Sequence, residues 1–146
     1  MKKLFKNYSS FPLGVDISAL ILRLTLGLSM VIGHGWGKWG KLFGDDPIKF
    51  ADPLGVGPEI SLGLAVFAEV ICSALLTIGL VTRWSLVPLI ITMATALFII
   101  HGADDFSGKE KALIYLMGYL ALFFTGPGKF SVDAFLHKKE SQSIPN

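Results

Sequence analysis

The sequence predicts an all-α integral membrane protein, an antiparallel four-helix transmembrane bundle, and three observations predict it. The 146 residues are 52% hydrophobic, with a mean hydropathy of +0.61. Only 16% of them are charged, against about a quarter in soluble domains. Those few charges cluster between long apolar runs, the first three of which are long enough to cross ~30 Å of hydrocarbon at 1.5 Å per residue, given some thinning or tilt. Apolar surface in that excess has to face something other than water. A bilayer supplies it.

The first span is expected at about residues 17–36, interrupted by Arg23 and, near its far end, His34. A polar loop follows, carrying Asp45, Asp46, Pro47, Asp52 and Pro53. The second span, about 58–80, contains one charge, Glu69. A tight turn at Val81-Thr82-Arg83 leads to the third, about 84–103, with Pro88 placed in its first turn, where proline is tolerated. The fourth, about 110–126, has a short uncharged core and needs Lys111 to snorkel to the interface. Ser107-Gly108-Lys109-Glu110 fits a capping box at its start, and Gly126-Pro127-Gly128 stops it. Phe130, Val132, Phe135 and Leu136 then suit a short interfacial helix, about 130–137. With no long linker and no repeat, residues 1–146 read as one domain.

Basic residues set the expected orientation. Lys2, Lys3, Lys6, Arg83, Lys129, Lys138 and Lys139 fall on one side; Lys38, Lys41, Lys49, Lys109 and Lys111 fall on the other. The larger group belongs inside, which puts both termini in the cytoplasm. The basic N-terminal stretch lacks a small-x-small cleavage site and reads as a retained anchor. Trp36, Trp39 and Trp84 fall at span ends, where indoles anchor. A net charge of +2 without a basic stripe points away from nucleic acid.

The ionisable residues inside the spans carry the functional signal, since each costs at least ~2.5–3.5 kcal/mol at mid-bilayer. Arg23 lies roughly 9 Å from the inner start of the first helix, and Glu69 lies near the middle of the second, about one turn deeper. The inference is an Arg23–Glu69 pair within the bundle. Read structurally, that pair fixes how two helices dock. Read functionally, Glu69 shuttles a proton or binds a ligand's polar group while Arg23 favours its charged form.

His34 and His101 sit near the outer helix ends, and Tyr115 and Tyr119, four apart, share a face of the fourth helix. With Glu69 they would line a pocket that opens outward. No Cys/His cluster or HExxH motif accompanies the histidines, so no metal site is expected. Cys72, the single cysteine, lies three residues after Glu69 and reads as a small buried apolar residue. Gly27, Ser29, Gly33, Gly35 and Gly37 in the first span permit close helix approach.

Taken in order, these pieces resemble the DoxX family of small four-helix bacterial membrane proteins, over roughly residues 17 to 136. The matching stretches are Leu22-Arg23-Leu24-Thr25-Leu26-Gly27 with His34-Gly35-Trp36-Gly37-Lys38. Next come Glu69 with Leu76-Thr77-Ile78-Gly79-Leu80-Val81-Thr82-Arg83, and His101. Last is Glu110-Lys111-Ala112-Leu113-Ile114-Tyr115, leading to Thr125-Gly126-Pro127-Gly128-Lys129-Phe130-Ser131-Val132-Asp133. The resemblance implies a bacterial inner-membrane protein. Some relatives look like the quinone-reducing membrane subunit of a thiosulfate oxidoreductase; others are membrane partners of soluble redox enzymes in thiol and oxidative-stress systems. This chain has no CxxC pair for a thiol relay.

The leading expectation is a redox-associated subunit that binds a quinone-like lipid, with Glu69 and Arg23 as catalytic residues and His34, His101, Tyr115 and Tyr119 contacting the ligand. A partner redox protein would deliver electrons. The alternatives are a non-enzymatic scaffold for a soluble redox enzyme and a small transporter, which would require a homo-oligomer.

Overall fold

A computed structural model describes residues 12–143. Lys2, Lys3 and Lys6, used above for orientation, lie outside them. The described residues form helices joined by turns and loops, with no strand among them. Helix α1 (Leu13–Leu42), α2 (Pro58–Ile78) and α3 (Thr82–Ile100) are each long and apolar enough to cross a membrane. Helix α4 (Phe106–Thr125) follows, then the short α5 (Val132–Ser143).

The boundaries correct the sequence reading in several places. α1 starts four residues before the expected first span and ends six after it, so Trp36 and Trp39 lie within the helix rather than past its end. α3 begins at Thr82, which moves Pro88 from the first turn into the helix interior. α4 begins at Phe106 behind Asp105, whose side chain makes no capping bond; Ser107 is already helical, so no capping box forms. α5 starts at Val132 and extends past residue 137.

Packing follows the apolar spacing. Asp16, Ala19, Arg23, Leu26 and Met30 recur at three- and four-residue intervals and make the buried stripe of α1. Leu62, Ala65, Val66, Glu69, Cys72, Ser73 and Leu76 do the same for α2; Leu86, Leu89, Met93 and Leu97 for α3; Ala112, Leu116, Tyr119 and Leu122 for α4. The opposite stripes are exposed and apolar, among them Ile17, Ile21, Leu24, Leu28 and Ile32 on α1 and Ile60, Leu64, Phe67 and Ile71 on α2. A surface of that kind suits lipid.

α1 and α2 run antiparallel, with Gly27 against Ser73 and Thr77 and Gly35 against Glu69 and Val70. That register separates Arg23 from Glu69. Arg23 lies beside Thr77 and Gly79, at the end of α2. Glu69 lies level with Gly35, about twelve residues further along α1, or roughly 18 Å of helix rise. The expected Arg23–Glu69 pair does not form. The sequence estimate started α1 too late, whereas its first turns in fact run past the α2–α3 turn.

Arg23 finds carbonyls instead of a carboxylate. Its guanidinium, 1% exposed, donates to the backbone oxygens of Pro127 (3.0 Å), Thr77 (3.0 Å) and Phe130 (2.6 Å). These oxygens lie at or beyond the ends of α2 and α4, where helix carbonyls lack intrahelical partners. Around it the chain is bolted together. Asp16 accepts from the Lys129 amide at 3.0 Å and pairs with the Lys129 ammonium at 3.3 Å. Asp133 accepts from the Val81 and Thr82 amides at 2.7 and 2.9 Å, capping α3 from a distant part of the chain. Its own amide donates to the Gly79 carbonyl at 2.9 Å.

Gly79 has to be glycine on two counts. It is left-handed at φ 73°, and a Cβ there would lie 2.5 Å from Arg23 Nη1. Truncating Arg23 leaves three part-buried carbonyls without their donor, each costing up to ~1–3 kcal/mol. Arg23→Met therefore lowers stability by about 3 kcal/mol in detergent melts, and Arg23→Lys recovers only part because an ammonium cannot fork to all three. An unchanged melting temperature in Arg23→Met would contradict this assignment.

Candidate functional site

At the other end of the bundle Glu69, 2% exposed, faces Lys38. The Lys38 ammonium lies 2.6 Å from both Glu69 carboxylate oxygens, a forked contact that bridges α1 and α2. Gly35 makes it possible. A Cβ there would lie 2.8 Å from the Glu69 carbonyl oxygen, so only glycine lets the helices come this close. One turn later Lys38 arrives level with the carboxylate. Gly27 is a second close contact, whereas Gly33 and Gly37 face open space.

Three helices widen to π geometry at this level: Val31–Gly35 in α1, Phe67–Cys72 in α2 and Ala96–Ile100 at the end of α3. Such turns shift the side-chain register locally and recur at functional sites. Here they hold His34 and Glu69 and immediately precede His101.

The ion pair borders a cavity of about 440 Å³ between α2 and α3. Phe50, Ala51, Pro53 and Leu54 of the α1–α2 loop cover it; Ser61, Leu64, Ala65 and Phe67 form the α2 wall; Pro88, Ile91, Thr92, Thr95, Ala96 and Ile100 form the α3 wall. Lys38 and Glu69 stand on one side, and His101 stands at the rim. Leu64, Phe67 and Ile91 line the cavity and are also about half exposed on the outer, apolar face of the bundle. The cavity thus reaches the side of the molecule where hydrocarbon would lie.

The residues singled out from sequence divide among three places. Glu69 and His101 share the cavity. His101 Nδ1 also meets Asp104 Oδ2 at 2.7 Å. His34, Tyr115 and Tyr119 stack on the α1–α4 side: the His34 ring meets the Tyr115 edge at 5.6 Å between centroids, and Tyr115 meets Tyr119 at 5.9 Å. The Tyr119 hydroxyl is buried, with no hydrogen-bond partner among the described residues. These three do not line the cavity. Arg23 lies at the opposite end, apart from the cavity.

Lys38 was missed as a site residue because it was counted only as an outer basic residue.

The family model described as DoxX matches residues 18–102, more than half of the chain. The chain belongs to the DoxX family. It is 31% identical to an uncharacterised protein of Haemophilus influenzae, over 86% of this chain and 87% of that one. It is 29% identical to an uncharacterised membrane protein of Mycobacterium tuberculosis, over 84% and 83% of the two chains. It is also 29% identical to the inner membrane protein YqjF of Escherichia coli, over 85% and 95%. No solved structure matches it. Family membership and the three apolar helices make it an integral membrane protein.

In this DoxX-family chain the loop over the cavity is tied down by Asp52. Its carboxylate accepts from the amides of Val56 (3.0 Å) and Gly57 (2.8 Å) and from the Ser61 hydroxyl (2.7 Å), at the start of α2. The Ser61 bond first, and the amides with it, hold the Asp52 carboxyl below the usual carboxylate range. The stabilisation is therefore fully present above the ordinary aspartate value of about 3.9, and is lost as pH falls through the lower folded-state value. Asp52→Ala lowers the melting temperature at neutral pH, and the gap to wild type closes on acidification. Melting curves that stay parallel down to acid pH would refute this anchor.

Proposed function

We propose that this protein is a redox-associated membrane subunit that binds a quinone-like lipid in the α2–α3 cavity. The observation that carries the reading is the union of a neutral polar head site with an apolar wall open to the bilayer side. The Lys38–Glu69 pair has no net charge, so it favours a neutral, hydrogen-bonding head over an anionic one. Leu64, Phe67 and Ile91 at the outer wall suit the tail. A volume of about 440 Å³ lies within the usual range for a small-molecule site.

Lys38 donates to a head-group carbonyl oxygen, and Glu69 and His101 move protons at that oxygen. A bound quinone supplies the electron-accepting chemistry, taking two electrons from a partner redox protein and two protons to become a quinol. Arg23 falls outside this scheme and serves the fold. His34, Tyr115 and Tyr119 back the ion pair from the α1–α4 side.

The same reading completes the topology. α4 is the fourth crossing, with Lys109 and Lys111 snorkelling at its outer end. The excess of basic residues beside α5 and the α2–α3 turn puts both termini in the cytoplasm. The name of the Escherichia coli relative supports the inner membrane.

Purification in mild detergent followed by mass-spectrometric quantification of co-extracted quinone tests the proposal. Wild type retains close to one quinone per chain. Lys38→Met, which loses a charge-assisted hydrogen bond worth ~1.5–3 kcal/mol, retains at least about tenfold less. Ile91→Trp, which plugs the outer wall and leaves the ion pair intact, loses it as well. Background quinone in wild type would favour the scaffold reading, with Lys38–Glu69 acting only as a fastener between α1 and α2.

A further inference from the structure

Glu69 has a single hydrogen-bonding partner among the described residues. Both carboxylate oxygens are held by the one Lys38 ammonium, with no amide, hydroxyl or second cation donating to them. The two partners differ in exposure: the Glu69 side chain is 3% exposed and the Lys38 side chain 26%. Lys38 stands where a ligand arrives, with its ammonium 6.0 Å from the centroid of the Phe50 ring that helps cover the cavity. Its long stem gives it freedom to turn toward a new acceptor.

Anything that draws Lys38 away leaves a bare carboxylate in a buried site. Such a charge costs several kcal/mol, and proteins neutralise it with a proton instead. We propose that ligand binding in the cavity transfers Lys38 from Glu69 to the ligand and that Glu69 takes up one proton in the same step. This rests on the quinone-like reading above and adds a regulation to it: the site loads its ligand together with a proton.

The step balances. Ligand, the Lys38 ammonium–Glu69 carboxylate pair and one proton from the outer aqueous side become ligand held by the Lys38 ammonium beside a neutral Glu69 carboxylic acid. No electron moves. The proton is then already placed next to the oxygen that reduction makes basic. Each element around Glu69 presents ionisable groups: Lys38 and His34 from α1, Tyr115, Tyr119 and Lys111 from α4, and His101 at the end of α3. His101 is the rim group, bonded to Asp104 at the surface.

The test uses the purified full chain and a short-chain benzoquinone with a decyl tail as probe. Calorimetric titration in buffers of different ionisation enthalpy counts protons taken up per probe bound. Wild type takes up close to one, and its affinity rises about tenfold per unit fall in pH. Glu69→Gln, which mimics the protonated acid and frees Lys38, binds at least as tightly as wild type, without proton uptake or that slope.

Infrared spectroscopy examines the second half without ligand. Lys38→Met shows the carbonyl stretch of a protonated carboxylic acid at neutral pH. The band is absent from the Lys38→Met/Glu69→Gln double variant and from Lys38→Arg, which keeps the charge. Binding by wild type without proton uptake overturns the coupling, and so does a pH slope that persists in Glu69→Gln, which would assign it to the histidines. Absence of the infrared band in a folded Lys38→Met variant also overturns it. Failure of the probe to bind at any pH removes the quinone reading, and the ligand step falls with it.

Discussion

Hydrocarbon offers no hydrogen bonds, and this fold is arranged around that constraint. Among the described residues, two charged side chains are buried almost completely, Arg23 and Glu69, and each needs partners supplied by the protein. They are satisfied in opposite ways. Arg23 reaches three backbone carbonyls where helix ends and the 127–130 segment converge, and no single movement frees it. Glu69 depends on one flexible ammonium at the edge of a cavity. One end of the bundle is thereby fixed and the other is poised.

The fixed end explains why so many small sequence features travel together. Arg23, Gly79, the Gly126-Pro127-Gly128 stop, Lys129 and Asp133 form one connected knot that ties the start of α1 to the α2–α3 turn and to the entrance of α5. Asp133 caps α3, a task its own first turn does not perform. With this end locked, α1 and α2 are held in the register that brings Gly35 against Glu69 and Lys38 within reach.

Much of the fold was legible because hydrophobic run length and the glycine–proline stop report directly on helices. The α4 cap was not, since Ser107 and Glu110 match a capping box by type while the helix starts two residues earlier than that box requires, at Phe106. Glu69 and His101 were recognised from the cost of burying them or from their depth, and they do share a cavity. The Arg23–Glu69 pairing was wrong because depth counted from helix ends is sensitive to a few residues, and α1 is longer at both ends than its uncharged run. Lys38 escaped because a lysine near a span end normally marks the interface; its inward turn depends on a contact with α2 that periodicity within α1 cannot show. The cavity itself arises from the loop at residues 50–54 folding over two helices, a tertiary feature without a local sequence signal.

The proposed seat of a quinone-like lipid lies between α2 and α3 beside the Lys38–Glu69 pair. The most direct measurement is photolabelling in native membranes with a photoreactive short-chain quinone, followed by peptide mass spectrometry. A quinone seated there places label on the α2 and α3 residues that line the cavity, among them Leu64, Ile91 and Thr95, and excess unlabelled quinone removes it. Label spread over the outer faces of α1 and α4, or label that excess quinone does not displace, would contradict it.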